Sequence, residues 1–242
     1  MRVLAIIPAF NEERSLPSVV DGIRRVMPGV DVCVVDDGST DGTAEVARRL
    51  GVTLLSNALN LGIGGAVQGG YIWARDRGYD AAVQVDGDGQ HDPAFLHAVL
   101  EPLAAGRAGL VIGSRFAADQ GGFRSTWLRR QGIRYLCWLL RLRCGARVTD
   151  PTSGFRAAGR PAIELFAAFY PPDYPEPESI AIAARRGIAV AEVPVRMSER
   201  LHGESSITPL RTLYYLVKVS LALALLPARA LDLSDGSAVT RT

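Results

Sequence analysis

The stretch Val83-Gln84-Val85-Asp86-Gly87-Asp88-Gly89-Gln90-His91-Asp92-Pro93 runs an apolar segment straight into carboxylates separated by single glycines, and a helix-patterned stretch follows at 93–104. The same phrase recurs along the chain. Short apolar runs at 3–7, 32–35, 52–55, 81–85 and 109–112 alternate with helical patterns at 15–26, 42–50, 64–77 and 93–104. Strand-helix alternation of this kind predicts an α/β fold with a mostly parallel central sheet covered by helices on both faces. Ligands of such sheets sit beyond the carboxyl ends of the strands. Those ends are punctuated here by Pro8-Ala9-Phe10-Asn11, Asp36-Asp37-Gly38-Ser39, Asn57-Ala58-Leu59-Asn60-Leu61-Gly62, Asp86-Gly87-Asp88 and Gly113-Ser114-Arg115, so polar groups converge on one crevice.

In an extended chain Asp86 and Asp88 point the same way, and Gly87 and Gly89 beside them let backbone approach a ligand closely. Hard oxygen ligands are presented to a divalent cation in this manner. A solvated turn is the competing reading. A helix-loop-helix calcium site fits poorly, because glycine falls at the fourth position rather than the sixth and the twelfth residue is His97.

With 242 residues and 48% hydrophobic composition, the chain is sized for one compact unit. A net charge of +2 implies no general polyanion-binding surface, and no nucleic-acid partner is expected. The charge is nevertheless uneven. Arg124, Arg129, Arg130, Arg134, Arg141, Arg143 and Arg147 follow one another with no acid between them, and Trp127, Tyr135 and Trp138 are interleaved. Leu128, Gly132, Tyr135, Leu136, Leu139 and Leu140 fall at helical spacing within this block, which reads either as a surface helix with solvated arginines or as a helix lying on an anionic membrane.

Leu213 to Leu226 is almost wholly apolar but shorter than the ~20 residues that span a bilayer. It reads as an interfacial helix or a truncated anchor, with no other purpose visible in the sequence, followed by a flexible tail. Residues 1–113, 114–210 and 211–242 are therefore expected to form a nucleotide-facing half, a half that meets the second substrate, and the apolar helix with its tail. Three cysteines at irregular spacing fit reduced thiols and a cytosolic setting, and 3–7 is too short for a signal segment.

Asp36 and Asp37 follow a strand and precede a helix cap, where a carboxylate can accept from a base N–H or a ribose hydroxyl. Gly62-Ile63-Gly64-Gly65-Ala66-Val67 is not a dinucleotide fingerprint, since Val67 stands where Gly or Ala is needed and the first strand does not precede it. No GxxxxGK[ST] phosphate loop occurs. Arg115, at a strand end, reads as a surface charge or a partner for ligand phosphate. His91, His97 and His202 have no zinc-like spacing, and a surface or packing role is expected of each.

Ile7-Pro8-Ala9-Phe10-Asn11-Glu12, Val34-Val35-Asp36-Asp37-Gly38-Ser39-Thr40-Asp41, Asn60-Leu61-Gly62-Ile63-Gly64-Gly65-Ala66, Asp86-Gly87-Asp88-Gly89-Gln90-His91 and Asp150-Pro151-Thr152-Ser153-Gly154-Phe155-Arg156 together resemble the family 2 glycosyltransferases of GT-A fold, a Rossmann-like architecture. Within that family the sequence is most similar to the dolichyl-phosphate and polyprenyl-phosphate sugar synthases, from residue 3 to about 207. The resemblance implies an inverting transferase that uses a nucleotide-sugar and a divalent cation, Mg or Mn. It places Pro8, Ala9, Phe10, Glu12 and Asp37 on the nucleotide, and Asp86, Gly87, Asp88 and Gln90 at metal and diphosphate, with Asp86, Asp88 and Gln90 as the metal set. Arg115, Arg130 and Arg200 are similar to phosphate-contacting arginines of the family.

One departure stands out. Mannosyl-phosphate synthases of this look end a loop with Arg-x-x-Gly-x-Ser-Lys, whereas Arg200-Leu201-His202-Gly203-Glu204-Ser205-Ser206 has Ser206 in place of the lysine. GDP-mannose as the donor is therefore not implied. The 174–178 stretch Tyr174-Pro175-Glu176-Pro177-Glu178 looks like bacterial members associated with cell-surface polysaccharide assembly.

The expected acceptor is a polyprenyl phosphate at the inner face of the cell membrane, its head group met by Arg130 and Arg156. An ionised phosphate needs arginines rather than a base. A hydroxyl acceptor is the alternative, and it requires a carboxylate to take its proton, for which Asp150, Glu176 and Glu178 are the candidates. A nucleotidylyltransferase is disfavoured because no Gly-rich, Arg-containing loop follows the first strand. A non-catalytic nucleotide-binding module is disfavoured by the presence of both Asp86 and Asp88. Association into a homo-oligomer is left open.

Overall fold

The computed structural model describes residues 1–117, 127–198 and 209–225. One seven-stranded sheet organises them. Its strands are β1 (Val3–Ala9), β2 (Asp31–Asp36), β3 (Thr53–Ser56), β4 (Ala81–Gln84), β5 (Leu110–Ser114), β6 (Arg156–Gly159) and β7 (Val190–Pro194), in the spatial order β3-β2-β1-β4-β6-β5-β7. Only β6 runs against its neighbours, β4 and β5. The mostly parallel α/β fold is thus as expected, and β6 and β7 complete the sheet begun by 1–113, so the two halves share one scaffold.

Helices α1 (Leu16–Val26), α2 (Thr43–Arg49), α3 (Gly62–Asp76), α4 (Leu96–Ala104), α5 (Trp127–Cys144), α6 (Arg160–Ala168), α7 (Pro175–Arg185) and α8 (Pro209–Leu225) cover it. The sheet separates two apolar layers. Val3, Ala5 and Ile7 pack with α1 and α4 on one side, while Leu4 and Ile6 pack with α3 and α6 on the other. Burial of each Leu or Ile side chain contributes about 1.5–3 kcal/mol. In α1, Leu16, Val19, Val20 and Ile23 make the buried stripe, Pro sits in the first turn, and Arg24 and Arg25 occupy the last turn, where cations suit the helix dipole. In α3 the glycines allow close approach: a Cβ on Gly70 would stand 2.3 Å from Ile6 Cγ2, and one on Gly64 2.1 Å from the Pro171 carbonyl oxygen.

A third apolar cluster joins α5, α7 and α8 through Ile112, Leu136, Leu140, Ile180, Val219 and Leu223. This gives the C-terminal apolar stretch a packing role that the sequence did not make visible. One side of α8 is core, and Arg143 locks its end by donating from Nε to the Leu223 carbonyl (3.2 Å) and from Nη2 to that of Ala224 (2.7 Å). Among the described residues no helix is long and apolar enough to cross a membrane. Residues 226–242, the last residue of that stretch and the expected tail, lie outside the described residues. The three cysteines are free thiols, and burial pushes Cys33 up to about 12.

Candidate functional site

Strand order reverses at β1, with β2 and β3 on one side and β4 on the other, so a crevice opens beyond the carboxyl ends of β1 and β4. The antiparallel course of β6 brings its first residue to the same edge, where Arg156 is in register with Gln84. For that reason the 150–156 loop meets the Asp86 turn. Gly154 lies against it, with room for no side chain: a Cβ there would be 3.1 Å from Asp86 Oδ2 and 3.2 Å from Gln84 Nε2.

Strand β4 ends at Gln84, and 87–89 is a turn, with Gly89 at φ 77. Asp86 and Asp88 are therefore presented by a turn and not by the extended alternation expected from their spacing. Gln84 donates from Nε2 to Asp86 Oδ1 (3.0 Å). Asp88 is 5% exposed, and its Oδ1 accepts the Gln90 backbone N–H (3.0 Å). Gly87 seats the turn on the end of β1: a Cβ would lie 3.2 Å from the Pro8 carbonyl oxygen and 3.4 Å from Glu12 Cγ. Pro8, Ala9 and Glu12 thus adjoin Gly87, which lies between Asp86 and Asp88.

Phe10 is 46% exposed at the rim. Behind it Asn11 takes the left-handed conformation (φ 58), which Asn tolerates better than most residues; its Oδ1 accepts the Thr40 N–H (2.8 Å) and its own N–H is donated to Ser39 Oγ (2.9 Å). The β1 and β2 exits are tied together in this way.

Asp37 is buried, and both its oxygens are occupied. Oδ1 accepts from Asn57 Nδ2 (2.8 Å) and the Leu61 N–H (2.9 Å), and Oδ2 from the Gly62 N–H (2.8 Å). Its visible work is to hold the 57–62 loop at the start of α3.

Asp150 is fully buried, and Arg115 grips it bidentately, Nε to Oδ2 (2.7 Å) and Nη2 to Oδ1 (2.7 Å), with Nη2 also reaching Thr152 Oγ1 (2.8 Å). The expected phosphate arginine and the candidate base are each other's partners. Glu192, which the sequence did not single out, completes the brace by accepting the N–H groups of Thr149 (2.8 Å) and Asp150 (2.9 Å). Burial pushes its carboxyl above the ordinary range, while these donors pull it down. A lone acid in an otherwise apolar strand is the signal that could have found it.

Arg156 is 1% exposed. Its guanidinium donates to the carbonyls of Ser153 (2.7 Å), Glu176 (2.8 Å) and Pro151 (3.1 Å) and to Ser179 Oγ (2.6 Å). The expectation that it greets an acceptor head group is corrected, since this charge is sealed inside and fixes the 150–156 loop to α7. Arg130 is exposed on α5. Arg200 lies outside the described residues.

The two acids of α7 face different company. The charged neighbours of Glu178 are Lys218 and Asp173, and burial raises it to about 6. Glu176 is raised by burial, drawn down by Arg156, and senses Asp86 and Arg115. Glu176 is thus the carboxylate within the field of the crevice. The helix starts at Pro175, since proline is tolerated in a first turn.

Among the described residues no group of three or more His, Cys, Asp or Glu is placed to hold a metal ion. A pair of carboxylates at a mouth is a different donor set. It suits Mg or Mn, which bind through one or two carboxylates and complete their shell with water and substrate phosphate.

A family model described as Glycosyl transferase family 2 matches residues 4–164. The chain is 38% identical over 218 residues to the undecaprenyl-phosphate mannosyltransferase of Micrococcus luteus, covering 86% of this chain and 88% of that one. It is 34% identical over 222 residues to the polyprenol monophosphomannose synthase of Mycolicibacterium smegmatis, at 86% and 81% coverage. Among solved structures it is similar to glucosyl-3-phosphoglycerate synthase from Mycobacterium tuberculosis in complex with Mn2+, UDP-glucose and phosphoglyceric acid. The TM-score is 0.69 at 26% identity, over 92% of this chain and 78% of that one. The family match runs through β1, the Asp37 and Asp86 turns and the 150–156 loop alike, so the sheet, its crevice and its chain order agree that this protein belongs to glycosyl transferase family 2 and is a hexosyl-transferring glycosyltransferase.

Proposed function

We propose that the protein moves a sugar from a nucleotide-sugar to a polyprenyl phosphate at a membrane surface, with inversion and with Mg or Mn. The observation that carries the acceptor and its location is the outer side of α5 and α8. Tyr135, Trp138 and Leu142 on α5, and Tyr214, Val217, Leu221 and Leu225 on α8, are exposed large apolar residues at helical spacing. The Tyr135 and Ser220 hydroxyls, 3.0 Å apart, join the two helices. Arg130, Arg134 and Arg141 are exposed on the same helix α5. Exposed aromatics with arginines alongside suit the headgroup region of an anionic bilayer. The two named relatives fit the same reading, since both names describe sugar transfer to polyprenyl carriers.

In this reading Pro8, Ala9, Phe10 and Glu12 line the nucleoside side of the crevice, and Asp37 shapes it by holding the 57–62 loop. Asp86 and Asp88, with Gln90 beside them, would hold the cation, which when bound supplies positive charge to the departing nucleoside diphosphate. The chain's own groups do the rest. The braced loop of Asp150 and Arg115 walls the crevice, and the acceptor phosphate, already ionised, attacks the anomeric carbon from the face opposite the leaving group. One displacement inverts that centre, and no general base is required.

Glu176 favours a second reading. A half-buried carboxylate with a raised pKa in the field of the crevice is what a hydroxyl acceptor would require as a base. One assay separates the two: purified enzyme with Mn2+ and GDP-, UDP- or dTDP-sugars is offered undecaprenyl phosphate or a hydroxyl acceptor. Product on the lipid phosphate with Glu176→Gln still active is expected. Transfer only to the hydroxyl, lost in Glu176→Gln, would replace the first reading by the second.

Membrane attachment has its own expected result. Deleting 211–242 would strip Val219 and Leu223 from the core, so surface substitutions are the cleaner probe. The double variant Trp138→Ala/Leu221→Ser is expected to lose most sedimentation with anionic vesicles while its melting temperature changes little. Sedimentation equal to that of wild type would remove this face from the membrane.

A further inference from the structure

We propose that His91 is the positioning residue of the carboxylate turn, fixing Asp86 from both its backbone and its side chain. The inference rests on the proposed cation role of Asp86 and Asp88, and it concerns a residue for which the sequence suggested a surface or packing role.

The His91 side chain is 2% exposed. Its ring stacks on Phe155, with centroids 4.9 Å apart and planes at 14°, and Phe155 is fully buried. Its backbone is held as well: His91 makes an isolated antiparallel bridge with Met197, and the Gln90 carbonyl accepts the Ser198 N–H (2.9 Å). Ring position and ring plane are thus set by elements outside the turn.

From this seat Nδ1 accepts the Asp86 backbone N–H at 3.0 Å. An accepting Nδ1 carries no hydrogen, so in the neutral ring the proton sits on Nε2. Nε2 lies 3.5 Å from Asp86 Oδ2, longer than a good hydrogen bond and within electrostatic reach. The opposite oxygen, Oδ1, is held by Gln84. One imidazole therefore closes the 86–91 turn and flanks the carboxylate opposite Gln84, leaving Asp86 a single orientation. Preorganisation of this kind decides how well a ligand set binds, and losing an outer partner typically costs 10–100-fold in metal affinity.

Three substitutions divide the contributions. His91→Phe keeps the ring against Phe155 and removes both nitrogens. His91→Asn puts an acceptor oxygen where Nδ1 stood, restoring the clamp on the Asp86 N–H. His91→Gln puts its polar group near the Nε2 position and leaves that N–H without its acceptor. The readout is Mn2+ affinity by calorimetry, without and with GDP or UDP, alongside circular dichroism and the melting temperature.

His91→Phe is expected to weaken Mn2+ binding roughly 10–100-fold. His91→Asn should recover most of that loss, and His91→Gln should not. Mn2+ affinity of His91→Phe within about threefold of wild type, measured while Asp88→Asn abolishes binding, overturns the positioning role and leaves the cation site standing. Retained Mn2+ binding in Asp88→Asn removes the cation site itself. Should His91→Phe fail to fold, the comparison of Asn with Gln decides: Asn binding Mn2+ more tightly supports the clamp, and equal affinities overturn it.

Discussion

Asp88→Asn is expected to lose more than about a thousandfold of cation-dependent turnover while remaining folded. The substitution is nearly isosteric, and its amide oxygen can still accept the Gln90 N–H that now reaches Asp88 Oδ1 at 3.0 Å. The turn is therefore kept and only the negative charge is removed. A cation neutralising a leaving diphosphate is worth several kcal/mol in the transition state, and about 4 kcal/mol corresponds to roughly a thousandfold in rate. Turnover measured against rising Mn2+, beside the melting temperature without metal, is the check. Wild-type turnover of the variant at saturating Mn2+ would remove Asp88 from the cation. A variant that melts well below wild type would show that the buried carboxylate serves the fold instead.

The strands of the sheet could be read from sequence because parallel strands buried on both faces are continuous apolar runs, and 3–7, 32–35 and 81–85 need no tertiary information to stand out. Strand β6 offers no such signal. Its four residues are Arg-Ala-Ala-Gly, and pairing with β4 and β5 makes them a strand. The arginine that opens it reads from sequence as a partner for an acceptor head group, since arginine is seldom fully buried, and only the carbonyls gathered by the 150–156 loop and α7 make its burial tolerable.

The same limit applies within the site. Asp86 and Asp88 are recognisable because the glycine-flanked pair is local. Asp37 and Asp150 have partners 20 to 35 residues away, so sequence alone cannot tell a carboxylate that awaits a ligand from one that already grips its own chain. Glu176 and Glu178 differ by two helical steps, about 200° around the axis, and so face different surroundings. Which of them faces the crevice depends on where α7 begins, and the left-handed Tyr174 (φ 51) before it is not foreseeable from a bulky residue.

Asp150→Asn distinguishes a brace from a base, and a large loss of stability is expected. Asp150 is wholly buried and Arg115 nearly so, with two charge-assisted bonds of 2.7 Å between them. The asparagine oxygen can satisfy one donor, but its NH2 then faces the other guanidinium N–H, donor against donor. Breaking a buried pair by removing one partner costs about 3–5 kcal/mol, because the remaining charge stays in the interior uncompensated. In a chain of this length that lowers the melting temperature by on the order of 10 °C. Replacing both partners, as in Arg115→Met/Asp150→Leu, should recover much of the loss, since packed apolar groups can stand in for a buried ion pair. If Asp150 were instead the proton acceptor of a hydroxyl substrate, Asp150→Asn would melt near wild type and lose the basic limb of its pH-rate profile. The braced geometry predicts the opposite on both counts: a lower melting temperature, and, at a temperature where the variant is folded, a pH profile of unchanged shape.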